Sequence, residues 1–98
     1  MSRSLIIRPD ALTDIEDARR SFEQIRLGLG DRFVDRVEAL LNLVEPMPEL
    51  FGRVWADVRA ARVNRFRHVL YYLVFPDRVE VLAVMHGARD PSAWQARV

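Results

Sequence analysis

Apolar positions along this chain follow two periods. From Asp10 onward they fall at Leu12, Ile15, Ala18, Phe22, Ile25 and Leu29, steps of three and four that line one side of a helix. Asp10, Asp14, Glu16 and Asp17 occupy the early turns, where carboxylates complement the positive end of the helix dipole. The stretch GLGD, Gly28 to Asp31, breaks this helix, and Asp31 is placed to cap a second one. Its stripe is Phe33 or Val34, then Val37, Leu40, Leu41 and Val44. EPMPE, Glu45 to Glu49, ends it, because two prolines so close cannot continue a helix. Ahead of this hairpin, RSLIIR (Arg3 to Arg8) is short, β-branched and stopped by Pro9, which predicts a strand.

Beyond Glu49 the period shortens. Val58–Val63, Arg67–Phe75 and Val79–His86 are strand-like runs, joined by turns at Asn64–Phe66 and Pro76–Arg78. Trp55 falls in the loop before the first of them. Leu70–Phe75 is apolar on both alternations, which predicts a central strand covered on two faces. Tyr71 and Tyr72 point to opposite faces, so at least one belongs to the core. The predicted architecture is α+β, order β-α-α-β-β-β, with a helical hairpin on one face of a small, mostly antiparallel sheet. No predicted element covers the other face, and a bound partner is the simplest cover.

Composition narrows the classes. Ninety-eight residues, half of them hydrophobic, fit a single domain spanning 1–98. There is no cysteine, and the two histidines have no carboxylates spaced to complete a metal site, so neither metal nor cofactor is expected. Leu5–Ile7 is too short for a signal peptide core, and no run reaches the ~20 apolar residues of a membrane span. A cytoplasmic protein is expected. Every basic side chain is arginine. Residues 1–50 hold seven arginines against ten acids, net −3, whereas residues 51–98 hold eight against four, net +4. An anionic partner would dock on the second half, where the planar guanidinium suits phosphate and carboxylate.

RPDALTDIEDARRSFEQI opening a helix, then PELFGRVWADVRAARVNRFRHVLYYLVFPDRVEVLAVMHGARDP with a last strand ending in His-Gly-x-Arg-Asp-Pro, resembles the RelE/ParE superfamily of type II toxins. The resemblance runs from Leu5 to Trp94. It implies a toxin neutralised by a cognate antitoxin, a partly disordered segment of which folds on the toxin. It also implies one of two targets. ParE-like members inhibit DNA gyrase by binding, and RelE-like members cut mRNA in the ribosome.

The local chemistry has to choose between them. A metal-free ribonuclease needs a base, an acid and cations for the phosphorane charge. By that resemblance Arg67, His68, His86 and Arg89 would form such a centre. The set is incomplete: Trp94, the C-terminal aromatic, donates a hydrogen bond but exchanges no proton. The binding reading is therefore favoured, with antitoxin or target contacts expected at Trp55, Arg59, Arg62, Arg65, Arg67, Tyr72, Arg89 and Trp94. DNA contact is expected mainly through the antitoxin. Around the last strand's end, Gly87 reads as a positive-φ exit, Asp90 as an N-cap and Pro91 as a first helical residue. His86 reads equally as a strand-end histidine bonded to a backbone carbonyl.

Overall fold

A computed structural model describes residues 3–98. Strand β1 (Ser4–Ile7) leads into α1 (Pro9–Ile25) and α2 (Leu29–Val44), and a 3-10 turn at Pro48–Leu50 follows. Then come β2 (Arg53–Trp55), β3 (Val58–Arg62), β4 (His68–Val74), β5 (Arg78–His86) and a short α3 (Ser92–Gln95). The five strands form one sheet in the order β1-β5-β4-β3-β2, with β1 parallel to β5 and every other pairing antiparallel. The α+β architecture and the helical hairpin are as the sequence predicts.

The helical face carries the larger core. Phe33, Val37, Leu40, Leu41 and Val44 of α2 meet Leu70, Tyr72, Val79, Val81 and Val84 of the sheet. On α1 the buried stripe differs from the expected one. It runs through Ala11, Ile15, Ala18 and Phe22, while Leu12 and Ile25 are 53% and 73% exposed. Both stripes satisfy helical spacing, and the small Ala11 lets α1 lie close to the sheet.

The helix junction also departs from expectation. α2 starts at Leu29, before Asp31, and Gly28 precedes it at φ 87°, a left-handed conformation that glycine adopts without a Cβ penalty. Asp31 is therefore inside the helix. The cap comes from α1, where the Glu23 carboxylate accepts the backbone N–H groups of Gly28 (3.1 Å) and Gly30 (2.8 Å). Those bonds hold the Glu23 carboxyl below its ordinary pKa. A Cβ at Gly30 would run into the Arg19 carbonyl oxygen, so glycine sets how closely the helices cross.

Two corrections concern the sheet. Trp55 lies in β2, a three-residue edge strand with every residue exposed, too short to show alternation. The face opposite the helices is covered by the chain itself. After β5 the C-terminal segment folds back and lays Trp94 flat on Tyr71, ring centroids 4.3 Å apart at 14°. Val58, Leu73, Leu82, Ala83 and Met85 complete this second cluster. A register shift in the β4–β5 pairing pairs Tyr71 with Ala83 and Tyr72 with Val81, leaving Leu82 as an extra residue. This bulge moves the helix-facing positions of β5 from odd to even, so that Val84 and His86 share the face of Val79 and Val81.

Candidate functional site

Three inner strands end together. β3 finishes at Arg62, β4 begins at His68 and β5 finishes at His86, so one end of the sheet collects Arg62, Arg65, Arg67, His68, His86 and Arg89. Arg65 occupies the tip of the β3–β4 turn at φ 67°. All four arginines are exposed, and among the described residues none makes an ion pair within 4 Å. Three adjoining hollows at this end include His86.

His68 and His86 are direct cross-strand partners, ring centroids 5.9 Å apart at 71°. Their surroundings differ. His68 is half-buried, its ring edge-on to Phe22 (5.4 Å) and Phe33 (5.0 Å), and its Nδ1 is buried without a hydrogen-bond partner. Burial, and next the neighbouring His86, push its pKa below the usual imidazole value, partly offset by Asp14. His86 is exposed, and its Nδ1 accepts the backbone N–H of Ala88 at 3.0 Å. With Nδ1 accepting, neutral His86 carries its proton on Nε2. It therefore presents a donor outward, and the expected bond to a backbone carbonyl is replaced by one from a backbone amide.

The turn after β5 is built differently from its reading in the sequence. Gly87 does not have positive φ; Gly28 is the glycine that does among the described residues. Its role is space: its N–H donates to the Arg67 carbonyl at 2.8 Å, and a Cβ there would sit 3.3 Å from that same oxygen. α3 begins at Ser92 with Pro91 at the capping position, one residue later than expected. Asp90 still secures the start, since its Oδ1 accepts the Ser92 N–H at 3.0 Å.

The remaining residues singled out by sequence separate into surface and core. Arg59 is half-buried and donates through Nη1 to the Phe51 carbonyl at 2.6 Å, a bond that ties the β2 entry to β3. Tyr72 has no exposed surface and its hydroxyl donates to the Pro48 carbonyl at 2.6 Å. Trp94 is 5% exposed in the second cluster. Tyr72 and Trp94 are core side chains, so neither presents a surface to a partner. Trp55 is 42% exposed and meets the edge of Trp94 at 6.1 Å.

Sequence reasoning missed Asp14 and Arg97. Arg97 donates to Asp14 Oδ2 (2.6 Å), to Asp14 Oδ1 (3.2 Å) and to the Leu82 carbonyl (3.0 Å), and Asp14 Oδ2 accepts the Val84 N–H at 3.0 Å. The pair spans 83 positions, and no local pattern announces it.

Chemically, this end combines four exposed guanidinium groups with the exposed imidazole of His86. Such an array binds anions. Proton transfer is poorly served, because His86 would have to exchange tautomer and give up the Ala88 bond to become a base at Nε2. Arg67 shares one hollow with His68 and His86, and Arg89 shares another with the same two histidines.

The model of the family described as the ParE toxin of the type II toxin–antitoxin system parDE matches residues 5–91. The chain belongs to the ParE toxin family. Toxin ParE2 of Mycobacterium tuberculosis, in strains CDC 1551 / Oshkosh and ATCC 25618 / H37Rv, is 26% identical over 62 residues. That match spans 63% of this chain and 59% of the relative, less than two thirds of its length. A solved structure described as the chromosomal ParDE TA system from P. aeruginosa superposes with a TM-score of 0.77 over 86% of this chain and 95% of that one. At 14% identity this match shows a shared fold.

Proposed function

We infer that this ParE-family chain inhibits DNA gyrase by binding it, and that a cognate antitoxin holds it inactive until released. The observation that carries a binding rather than a cutting role is the state of the two histidines. His86 Nδ1 is committed to the Ala88 amide, and the Nδ1 of His68 is buried among phenylalanine edges. No acid–base pair stands within hydrogen-bond reach at the arginine end among the described residues, which favours the ParE-like reading over the RelE-like one.

Antitoxin docking is supported by a separate surface. Leu43, Met47, Leu50, Val54 and Trp55 are 38–57% exposed on consecutive elements that lead into and include the edge strand β2. An unpaired strand edge flanked by apolar side chains suits an extended segment that orders on binding.

The test is a supercoiling assay with purified gyrase and relaxed plasmid. Wild-type chain stops supercoiling, and His86→Ala keeps at least half of that potency, because the imidazole touches no reacting atom. Cleavage of ribosome-bound mRNA that His86→Ala abolishes, with gyrase untouched, would replace this reading with the nuclease one.

A further inference from the structure

His86 ends β5 with its exposed ring committed to the turn that follows, since Nδ1 accepts the Ala88 amide at 3.0 Å. That bond lasts only while Nδ1 keeps its lone pair, because an imidazolium carries a proton on both nitrogens and accepts at neither. We propose that His86 is an acid-operated latch, whose neutral ring holds the turn carrying Arg89 and whose protonated ring releases it.

A charged ring has no carboxylate waiting for it among the described residues. The groups around it are Asp14 and Asp17 on α1, His68 and the preceding Arg67 at the start of β4, Arg62 and Arg65 from β3 and its turn, and Arg89. Asp14 is bound to Arg97, and Asp17 lies 3.6 Å from Arg20. No ion pair within 4 Å among the described residues includes His86. A proton on Nδ1 therefore turns the ring toward water. His68 is unsuited to take that proton instead. Its ring is half-buried against Phe22 and Phe33, where charge is disfavoured, and a charged His86 with its ring centroid 5.9 Å away disfavours it further. Two backbone bonds flank the latch and carry no titrating group: Gly87 N–H donates to the Arg67 carbonyl at 2.8 Å, and Arg89 N–H to the His86 carbonyl at 3.0 Å. Acid thus frees the Ala88 amide without opening the strand end, and adds one positive charge beside Arg89.

The latch is independent of gyrase and antitoxin, since the isolated full chain is measured. Ring and amide resonances of the nitrogen-15-labelled chain are followed by NMR from about pH 8 to about pH 5, the range in which histidine changes charge. At the upper end the His86 ring is the Nε2–H tautomer. As the ring charges, hydrogen-exchange protection of the Ala88 amide falls by about fivefold, the share of one neutral hydrogen bond, while that of Gly87 holds. His86→Ala gives the low Ala88 protection at every pH. His86→Asn keeps the high protection at every pH, because the asparagine oxygen accepts the same amide two residues on and does not titrate. His68→Phe leaves the Ala88 response in place. The proposal is overturned if Ala88 stays protected while the ring charges, if the ring is still neutral at the acid end, or if Gly87 loses protection together with Ala88. It is equally overturned if the acid response survives in His86→Asn.

Discussion

Asp14 and Arg97 close the edge of β5 where β1 stops. β1 pairs with β5 only as far as Val81, which leaves the Leu82 carbonyl and the Val84 amide without a neighbouring strand. The Arg97 guanidinium donates to the first, the Asp14 carboxylate accepts from the second, and the two side chains join each other. One ion pair thus replaces two ladder bonds and fixes the C-terminal segment that carries Trp94.

Removing one partner leaves a charge facing unpaired backbone groups. Asp14→Asn and Arg97→Ala each lower stability by about 2 kcal/mol, less than a fully buried pair because both side chains keep some solvent contact. Urea melts measure the loss. The double variant costs little more than either single one, since the two residues act as a unit.

Trp94 is the chain's own cover for the second sheet face. Trp94→Ala uncovers Tyr71 and its neighbours and costs about 3–4 kcal/mol, the range for truncating a buried aromatic. Thermal melting falls steeply and a hydrophobic dye binds the exposed face. Retention of wild-type melting would contradict the fold described for residues 90–98.

The two glycines of the helical hairpin differ in what they tolerate. Gly28→Ala meets no neighbour but must hold φ 87°, which costs about 1 kcal/mol. Gly30→Ala drives a methyl group into the Arg19 carbonyl and costs about 2–3 kcal/mol by forcing the helices apart. The order of the two melting temperatures checks this directly.

His68 gives stability a pH dependence of known sign. Its folded pKa lies below the unfolded value, so as pH falls through about 6.5 the unfolded chain takes the proton first. Stability from this group is complete above that pH and declines below it, levelling once the folded histidine is also charged. Carboxylates with lowered pKa, such as Glu80 between Arg78 and Arg8, contribute only nearer pH 4 and below. His68→Phe removes the slope between pH 7 and 5 and gains about 1 kcal/mol, because no orphaned nitrogen remains among Phe22, Phe33 and Phe66. Denaturant midpoints across that range show whether it does.

Much of the scaffold is legible in local pattern. The Val37–Leu40–Leu41–Val44 stripe, the unbroken apolar run of β4 and the Pro-bounded ends are properties of neighbouring residues, and the structure keeps them. What the sequence hides depends on residues far apart. Trp94 covers Tyr71 only because the chain turns back after β5, and Asp14 meets Arg97 only because β1 is too short to finish the ladder. Ala11 replaces Leu12 in the α1 stripe because the helix rotates to approach the sheet, and both positions satisfy the same spacing. At the arginine end, the run Arg53 to Arg67 looks continuous in sequence. Its members divide in space, since Arg59 is tied to Phe51 while Arg62, Arg65 and Arg67 line hollows that they share with His86. Nothing in the sequence reveals which nitrogen of His86 is occupied.

Gyrase binding, and not RNA cutting, is the action proposed for this ParE-family chain. Labelled thymidine and labelled methionine incorporation, followed for the first minutes after inducing the chain alone in bacteria, tests it most directly. DNA synthesis is predicted to fall first while translation holds, and His86→Ala to leave that order unchanged. Translation collapsing first, with His86→Ala relieving it, would contradict the account.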